Sequence, residues 1–114
     1  MQNIFITGRL TEDAVAKSSI RQGIKTEFVT FSVACNEERG DERSATFYNV
    51  TMSKTKLFEY LKKGQMVAII GRFRFLTSED EKKNVHYHLN VSVMDIQLLG
   101  SGKKTDSNPG ENNP

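Results

Sequence analysis

The chain has 114 residues, which is enough for one domain and leaves no room for a second core. Hydrophobic residues make up 37% and charged residues 26% of the sequence, so neither a disordered chain nor a membrane protein is expected. The sixteen Lys and Arg residues exceed the fourteen Asp and Glu residues by only two, so binding of a polyanion would depend on local clusters of charge.

The start of the chain and its cysteine content indicate the cellular compartment, and its last residues indicate where the domain ends. Residues 1–8 contain no basic segment and only a short apolar stretch, so no secretory signal is expected and the predicted location is cytoplasmic. The single cysteine, Cys35, excludes an internal disulfide and agrees with a reducing compartment. Residues 101–114 lack large apolar side chains, which predicts one domain over residues 1–100 and a disordered polar tail over 101–114.

The first part of the chain predicts two strands. Residues 3–10 alternate between two faces with the two-residue period of a strand. A polar stretch over residues 11–25, with Gly23 as its turn, leads to a second strand over residues 28–35, which are rich in β-branched and aromatic side chains.

A charged loop over residues 36–44, with Gly40 at its tip, leads to a third strand over residues 45–52. Alternation places the larger apolar side chains of this strand inward: Tyr48, Val50 and Met52. It places a second set outward: Phe47, Asn49 and Thr51.

A short helix is predicted over residues 54–63, with Ser53 as its N-cap and Gly64 at its end. Three apolar side chains have helical spacing: Leu57, Phe58 and Leu61. Lys62 and Lys63 would lie at the negative end of the helix dipole.

A long fourth strand is predicted over residues 65–76, with both faces of its first half buried and a second half in which basic and aromatic residues alternate. A charged hairpin over 77–84 precedes the last strand. The apolar side chains of this last strand change from one face to the other near Met94 and Asp95, which predicts a bulge or bend.

The order of elements is that of the OB-fold, an all-β, five-stranded Greek-key β-barrel with one helix between strands 3 and 4. Because this fold serves several functions, function has to be argued from side chains.

The sequence contains no recognisable catalytic or metal-binding arrangement. His86 and His88 lie two residues apart on one strand and point the same way, but no third ligand has a suitable spacing. Two solvent-facing histidines are the preferred interpretation. We therefore expect no enzyme activity, no metal and no cofactor.

Basic and aromatic side chains alternate between residues 71 and 75, Gly-Arg-Phe-Arg-Phe. Cationic grooves and aromatic faces are the groups that hold single-stranded nucleic acid. Arg72 and Arg74 are the safer candidates, because Phe73 and Phe75 have an alternative as core residues.

Two further aromatic residues are candidates for base stacking. Phe47 is an outward aromatic residue, with subunit packing as its alternative. Tyr87 shares a face with Val85 and Leu89, so it is assigned to the core, with base stacking as the minority interpretation.

Several stretches then combine in a specific order and spacing. They are residues 8–13, residues 29–37, residues 59–74 with Glu-Tyr-Leu-Lys-Lys-Gly at their start, and the ending over 94–100. Together they resemble the bacterial single-stranded DNA-binding protein family over residues 3–100. The resemblance implies an OB-fold homotetramer that binds and protects single-stranded DNA in replication, recombination or repair.

The resemblance also implies roles for particular residues. Phe47 falls where the family usually has a base-stacking tryptophan, Arg74 matches an arginine near the DNA path, and Lys62 and Lys63 match a basic pair. The predicted stacking residues are Phe47, Phe73, Phe75 and Tyr87. The predicted phosphate-binding residues are Arg9, Lys62, Lys63, Arg72 and Arg74.

The chain departs from the family in its aromatic residues and in its tail. It has no tryptophan, and Arg39, Ser53 and Ser78 stand where family members often have an aromatic residue. Residues 110–114 do not match the acidic-hydrophobic tip by which the family recruits repair and replication proteins, so recruitment through the tail is not predicted. These departures motivate the alternative, a primosomal, replication-restart type OB-fold module that mainly binds partner proteins.

Overall fold

The computed structural model describes residues 2–53 and 55–100, so the predicted tail over 101–114 lies outside the described residues. Strands make up most of the described chain: β1 Asn3–Leu10, β2 Val15–Arg21, β3 Ile24–Arg39, β4 Glu42–Met52, β5 Met66–Glu79 and β6 Val85–Leu98. A 3-10 helix spans Phe58–Tyr60. No helix in the described ranges is long and apolar enough to cross a membrane.

The strands close into a barrel. The sheet order is β1-β5-β6-β4-β3-β2, and a further pairing of β1 with β3 places Arg9 opposite Ala34 and Leu10 opposite Val33. The closed ring therefore consists of β1, β5, β6, β4 and β3, and β2 extends it as the partner of β3. The predicted all-β, five-stranded OB-fold is confirmed, whereas the additional strand β2 was not predicted.

The core fills the inside of this ring with side chains from alternate strand positions. Ten of its twelve residues lie in strands, and the other two, Ala14 and Leu61, lie between strands; the ten are Ile6, Leu10, Val29, Phe31, Val33, Val50, Met52, Val67, Ile69 and Val91. Within the single chain only one face of the first half of β5 is buried, since Val67 and Ile69 lie in the core while Ile70 is 43% exposed on the outside of the barrel.

Two segments predicted as connections are largely strands. The stretch over 11–25 contains β2 and the start of β3, and the loop over 36–44 is a continuation of β3 and β4. Cross-strand pairing satisfies the backbone in both hairpins whether or not one face is buried, so hydrophobic alternation gives no signal there. The predicted turn positions are confirmed, since Gly23 and Gly40 have φ values of 79° and 59°.

A short helix between β4 and β5 is confirmed, but the predicted bounds, residues 54–63, are wrong. Among the described residues of this segment, helical structure is limited to the 3-10 turn Phe58–Tyr60, and the N-cap position is Leu57 rather than Ser53. Leu61 leaves the helical conformation at ψ 76°, and its side chain is fully buried in the core. The apolar side chains over residues 57–61 therefore pack in the core without forming an α-helix. In the described part of this segment no α-helix ends at Lys62 and Lys63, so the predicted helix dipole is not formed there.

The change of parity in the last strand is confirmed as a bulge. Ile70 pairs with Asp95 and Gly71 pairs with Val93, so Met94 is the extra residue in β6. Beyond it, Ile96 and Leu98 pack against the core.

Candidate nucleic-acid interface

Phe47 lies on the outside of the barrel. Its neighbours in β4, Tyr48 and Val50, point towards the core, so Phe47 and Asn49 point outward, as predicted. The Phe47 side chain is 57% exposed. A large aromatic ring is thus available for contact on this surface.

The pairing of β4 with β6 extends this surface to β5. Asn49 pairs with Asn90 in the parallel register, and Asn90 pairs with Arg74 in the antiparallel register. Paired residues lie on the same side of a sheet, so Phe47, Asn49, Asn90 and Arg74 share the outer side. Arg72 joins them through its pairing with Ser92. We call this surface the arginine face: Phe47, Asn49, Asn90, Ser92, Arg72 and Arg74.

The two arginines of this face are free to contact a ligand. Arg72 and Arg74 are both exposed, and within the described part of the chain neither makes an ion pair or a side-chain hydrogen bond. They are two residues apart on one strand, so their Cα atoms lie about 6.6 Å apart along β5. The arginine face therefore combines an aromatic ring with two uncompensated guanidinium groups.

Phe73 lies on the opposite side of β5, where its ring is partly buried. It contacts Tyr48 edge to face, with 6.3 Å between the ring centroids and 68° between the planes, and it packs against the core. This position favours the alternative interpretation of Phe73 as a core residue.

Phe75 and Tyr87 lie beyond the end of the barrel. Residues 75–79 and 85–89 pair with each other, whereas the described pairings of β5 with β1 end at Arg72 and those of β6 with β4 begin at Asn90. We call this two-stranded extension the β5–β6 arm. The assignment of Tyr87 to the core is wrong, because its side chain is 67% exposed. The alternation of side chains correctly identifies the face of β6 on which Tyr87 lies, but at this position the strand extends beyond the core. Phe75 is 52% exposed and stacks on Tyr87, with centroids 5.8 Å apart and an angle of 18°.

The remaining predicted cations surround Gly64 and Asp13. Arg9 Nη1 donates a hydrogen bond to the Gly64 carbonyl at 2.9 Å. The Asp13 carboxylate accepts a hydrogen bond from the backbone N–H of Lys63 at 2.8 Å and lies 4.0 Å from Lys62 Nζ. These side chains are exposed, and Arg9 pairs with Ala34, which also pairs with Phe47. The cluster thus adjoins the arginine face across β3.

The sequence analysis missed the outer groove beside Asn49, which has a volume of about 370 Å³. Its polar lining includes Lys17, Thr30, Ser32, Asn49 and Thr51. Lys17 belongs to β2, a strand that the sequence pattern did not reveal. No hydrophobic alternation marks β2, because its side chains are exposed on both faces.

The histidines contact groups of their own arm. His86 Nε2 is 3.1 Å from Asp80 Oδ2, and His88 Nε2 is 2.9 Å from Ser78 Oγ. Hydrogen bonds from the Asn84 backbone N–H and from His86 lower the pKa of the Asp80 carboxyl. In residues 2–53 and 55–100, no three potential metal-ligating side chains come together.

Burial also affects the only cysteine. The pKa of the Cys35 thiol is raised by burial and, to a lesser extent, by the nearby Glu37 carboxylate. The thiol is therefore protonated at neutral pH, and it has the weak nucleophilicity of a structural cysteine.

The model of the single-strand binding protein family matches residues 1–99. This chain belongs to that family. The family match thus includes the complete barrel, the arginine face and the β5–β6 arm.

Individual relatives agree with this membership. Single-stranded DNA-binding protein 3 of Streptococcus agalactiae is 32% identical over 108 residues, which cover 89% of this chain and 75% of the relative. The single-stranded DNA-binding protein of Streptococcus pneumoniae is 25% identical over 116 residues, covering 96% and 72% respectively.

Solved structures agree in fold with this family member. A mitochondrial single-stranded DNA binding protein from S. cerevisiae has a TM-score of 0.67 at 23% identity, covering 89% of this chain and 97% of the other. A Plasmodium falciparum SSB in complex with single-stranded DNA has a TM-score of 0.64 at 19% identity, covering 88% and 96%. At these identities the likeness shows the shared OB-fold.

Proposed function

We propose that this chain binds and protects single-stranded DNA, without sequence preference, in replication, recombination or repair. The observation that carries the proposal is the arginine face, where the exposed ring of Phe47 lies on the same side of the sheet as Arg72 and Arg74. Membership of the single-strand binding protein family and the names of the bacterial relatives support it.

The mechanism combines stacking with neutralisation of charge. A base stacks on Phe47, which is worth ~1–3 kcal/mol and tolerates any base because every base has a π-face. Arg72 and Arg74 bind the neighbouring phosphates as charge-assisted hydrogen-bond donors. A duplex keeps its bases inside the helix, so it cannot use the ring in this way.

The other predicted residues take more limited parts in the proposal. Arg9, Lys62 and Lys63 provide positive charge beside the arginine face, although Arg9 and Lys62 also have protein partners. Phe75 and Tyr87 are exposed rings and remain candidates for stacking. Phe73 supports the strand from the core side.

We also propose that the chain assembles into a homotetramer. Phe5 and Ile70 are paired across β1 and β5, and their side chains are 65% and 43% exposed. An apolar pair on the outside of a barrel is suited to packing against another copy. Light scattering coupled to gel filtration measures the mass directly, and the mass of a monomer or a dimer would contradict this assembly.

The proposed activity is binding alone. We propose that the chain is not an enzyme, needs no cofactor and acts in the cytoplasm. The side chains of the arginine face neutralise and stack, and this chemistry requires no reacting group.

The test is a fluorescence-anisotropy titration of labelled oligo-dT at two salt concentrations, with duplex DNA of equal length as the competitor. Phe47→Ala should weaken binding more than Tyr60→Ala, because Tyr60 is an equally exposed ring on the 3-10 helix that is not part of the arginine face. Equal affinity for duplex and single strand, or binding insensitive to salt, would contradict the proposal. Retention of replication-restart proteins by a chain that does not bind DNA would support the primosomal alternative.

A further inference from the structure

The strand β2 has one unpaired edge. It is the last strand in the order of the sheet, and within residues 2–53 and 55–100 it pairs only with β3. All of its side chains are exposed. A free strand edge presents backbone N–H and C=O groups with which another extended chain can pair. This edge is therefore an available binding surface outside the barrel.

The turn that joins β2 to β3 determines which backbone groups of β2 point to the free edge. Gln22 and Gly23 have φ values of 51° and 79°, as in a two-residue type I′ turn. The flanking residues Arg21 and Ile24 then form a hydrogen-bonded pair, and such pairs recur at every second residue of an antiparallel ladder. The residues between these pairs direct their N–H and C=O groups to the free edge: Ala16, Ser18 and Ile20.

A hydrogen bond two residues before Ala16 agrees with this assignment. The N–H group of Ala14 donates to the Leu61 carbonyl at 2.9 Å, so the chain itself satisfies this edge just before β2 begins. From Ala16 onward, successive outward groups lie about 6.6 Å apart, which is the repeat of a partner strand. A peptide matches this edge because each of its residues both donates and accepts, whereas phosphate oxygens only accept.

Charge is distributed unequally between the two sides of the β2–β3 hairpin. Lys17 and Arg21 share one side, and the β3 residues that pair with them are uncharged. Neither cation forms an ion pair with any residue that the structure describes. On the other side β3 contributes one cation and one anion, Lys25 and Glu27. The edge residues on that side are small or apolar: Ala16, Ser18 and Ile20.

We propose that this edge binds an extended segment of a partner protein in which acidic residues alternate with β-branched apolar residues. The segment adds to β2 as an antiparallel strand, the slightly more stable pairing. Its acidic side chains lie beside Lys17 and Arg21, and its apolar side chains lie beside Ala16 and Ile20. A second copy of β2 is a poorer partner, because it would bring two more cations to the same side. The contact uses no residue of the arginine face and is independent of the proposed function.

The test adds an eight-residue peptide of alternating Glu and Val to the isotope-labelled full chain at low salt and follows amide exchange by NMR. In the free chain the outward amides of Ala16, Ser18 and Ile20 have no described backbone partner, whereas the amide of Ser19 faces β3. With the peptide at about ten times its dissociation constant, exchange of the three outward amides should slow about tenfold. Exchange of the Ser19 amide should change little.

Two methylated peptides separate strand pairing from attraction between charges. In the antiparallel arrangement the Val N–H groups face β2 and the Glu N–H groups face away from it. An N-methyl group on a central valine should weaken binding by about 2- to 12-fold, the loss of one hydrogen bond, whereas one on the adjacent glutamate should change it little.

Two variants of the chain test the contribution of charge. Arg21→Gln should weaken binding of the unmodified peptide by about 1.5- to 5-fold, the value of one exposed ion pair. Lys25→Gln is the matched control, because Lys25 lies on the other side of the hairpin, and it should leave the affinity unchanged.

Several results would overturn the inference. They are no binding of the unmodified peptide, equal affinity for the two methylated peptides, and bound peptide without protection of the outward amides. Protection that rises with protein concentration alone would assign the edge to a second copy, and protection by oligo-dT would assign it to DNA, so either would also overturn it. Failure of the chain to bind oligo-dT would reject the proposed function and leave this contact unaffected.

Discussion

Asn49 and Asn90 are hydrogen bonded across the parallel pairing of β4 with β6, with 3.3 Å between Nδ2 and Oδ1. This contact joins two residues that are 41 positions apart in the sequence. It lies within the register that places Phe47 of β4 and Arg74 of β5 on one side of the barrel. The candidate DNA surface therefore depends on how the ring closes, rather than on any single segment.

Replacement of Phe47 should change affinity according to the stacking area of the new side chain. Phe47→Ala is expected to weaken binding of oligo-dT by about 5- to 150-fold, the value of one stacked base. Phe47→Trp should bind at least as tightly as the unchanged chain. Since the chain has no other tryptophan, the emission of this variant reports this position alone, and titration with oligo-dT should quench it. An indole emission that stays unchanged at saturation would show that no base reaches this ring.

Replacement of Arg74 should lower the salt dependence of binding. Each phosphate contact on a single strand contributes roughly 0.7 to the slope of log affinity against log salt. Arg74→Gln is therefore expected to reduce the slope by about 0.7, and Arg72→Gln by a similar amount. The control is Lys25→Gln. Lys17 lines the outer groove beside Asn49, whereas Lys25 pairs with Ile20 on the opposite side of the β2–β3 hairpin. An equal reduction in slope for Lys25→Gln would indicate a nonspecific effect of net charge.

Replacement of Gly71 should destabilise the barrel. A Cβ atom at this position would lie 2.5 Å from the Ser92 carbonyl oxygen and 2.7 Å from Val91 Cγ1, since β5 and β6 approach closely beside the bulge. Gly71→Ala is expected to cost about 1–3 kcal/mol of the free energy of unfolding, measured by urea titration. Gly100→Ala is the control, because a Cβ there meets no heavy atom of the described chain within 4 Å. Equal stability of the two variants would contradict this explanation.

The barrel could be predicted from sequence because its strands have one face towards the core, which produces alternation. The β2–β3 hairpin produced no such signal, since the side chains of β2 are exposed on both faces. Helical spacing at Leu57, Phe58 and Leu61 was misleading, because a 3-10 turn followed by a buried leucine presents the same three positions to the core.

The candidate site was partly predictable for a related reason. Parity within β4 and β5 correctly placed Phe47 and the two arginines outside, but it could not show that β6 brings them to the same side. Tyr87 was misassigned because parity identifies the face of a strand and not the point at which the strand leaves the barrel. Such information comes only from pairing between distant segments.

The turn of the β5–β6 arm should become less ordered in acid. The Asp80 carboxylate accepts hydrogen bonds from the backbone N–H groups of Lys82 and Asn84, each at 2.9 Å, and lies 3.1 Å from His86 Nε2. These contacts, the Asn84 N–H foremost, lower the pKa of Asp80 below its ordinary value of 3.8. A carboxyl whose pKa is lower in the folded than in the unfolded state stabilises the fold above its unfolded pKa. That stabilisation is lost as the pH falls through the folded pKa.

We therefore expect the amide protons of Lys82 and Asn84 to be protected from exchange near neutral pH and to lose that protection below about pH 3.8, as followed by NMR. Asp80→Asn should weaken the protection and make it independent of pH, because both N–H groups donate to one oxygen, Oδ1, and the amide oxygen that replaces it is a neutral acceptor that does not titrate. Glu81→Gln, a neighbouring exposed carboxyl in the same turn, is the control and should leave both amides unchanged. An Asp80 carboxyl that titrates at or above 3.8 in the folded protein would show that these hydrogen bonds do not favour its ionised form.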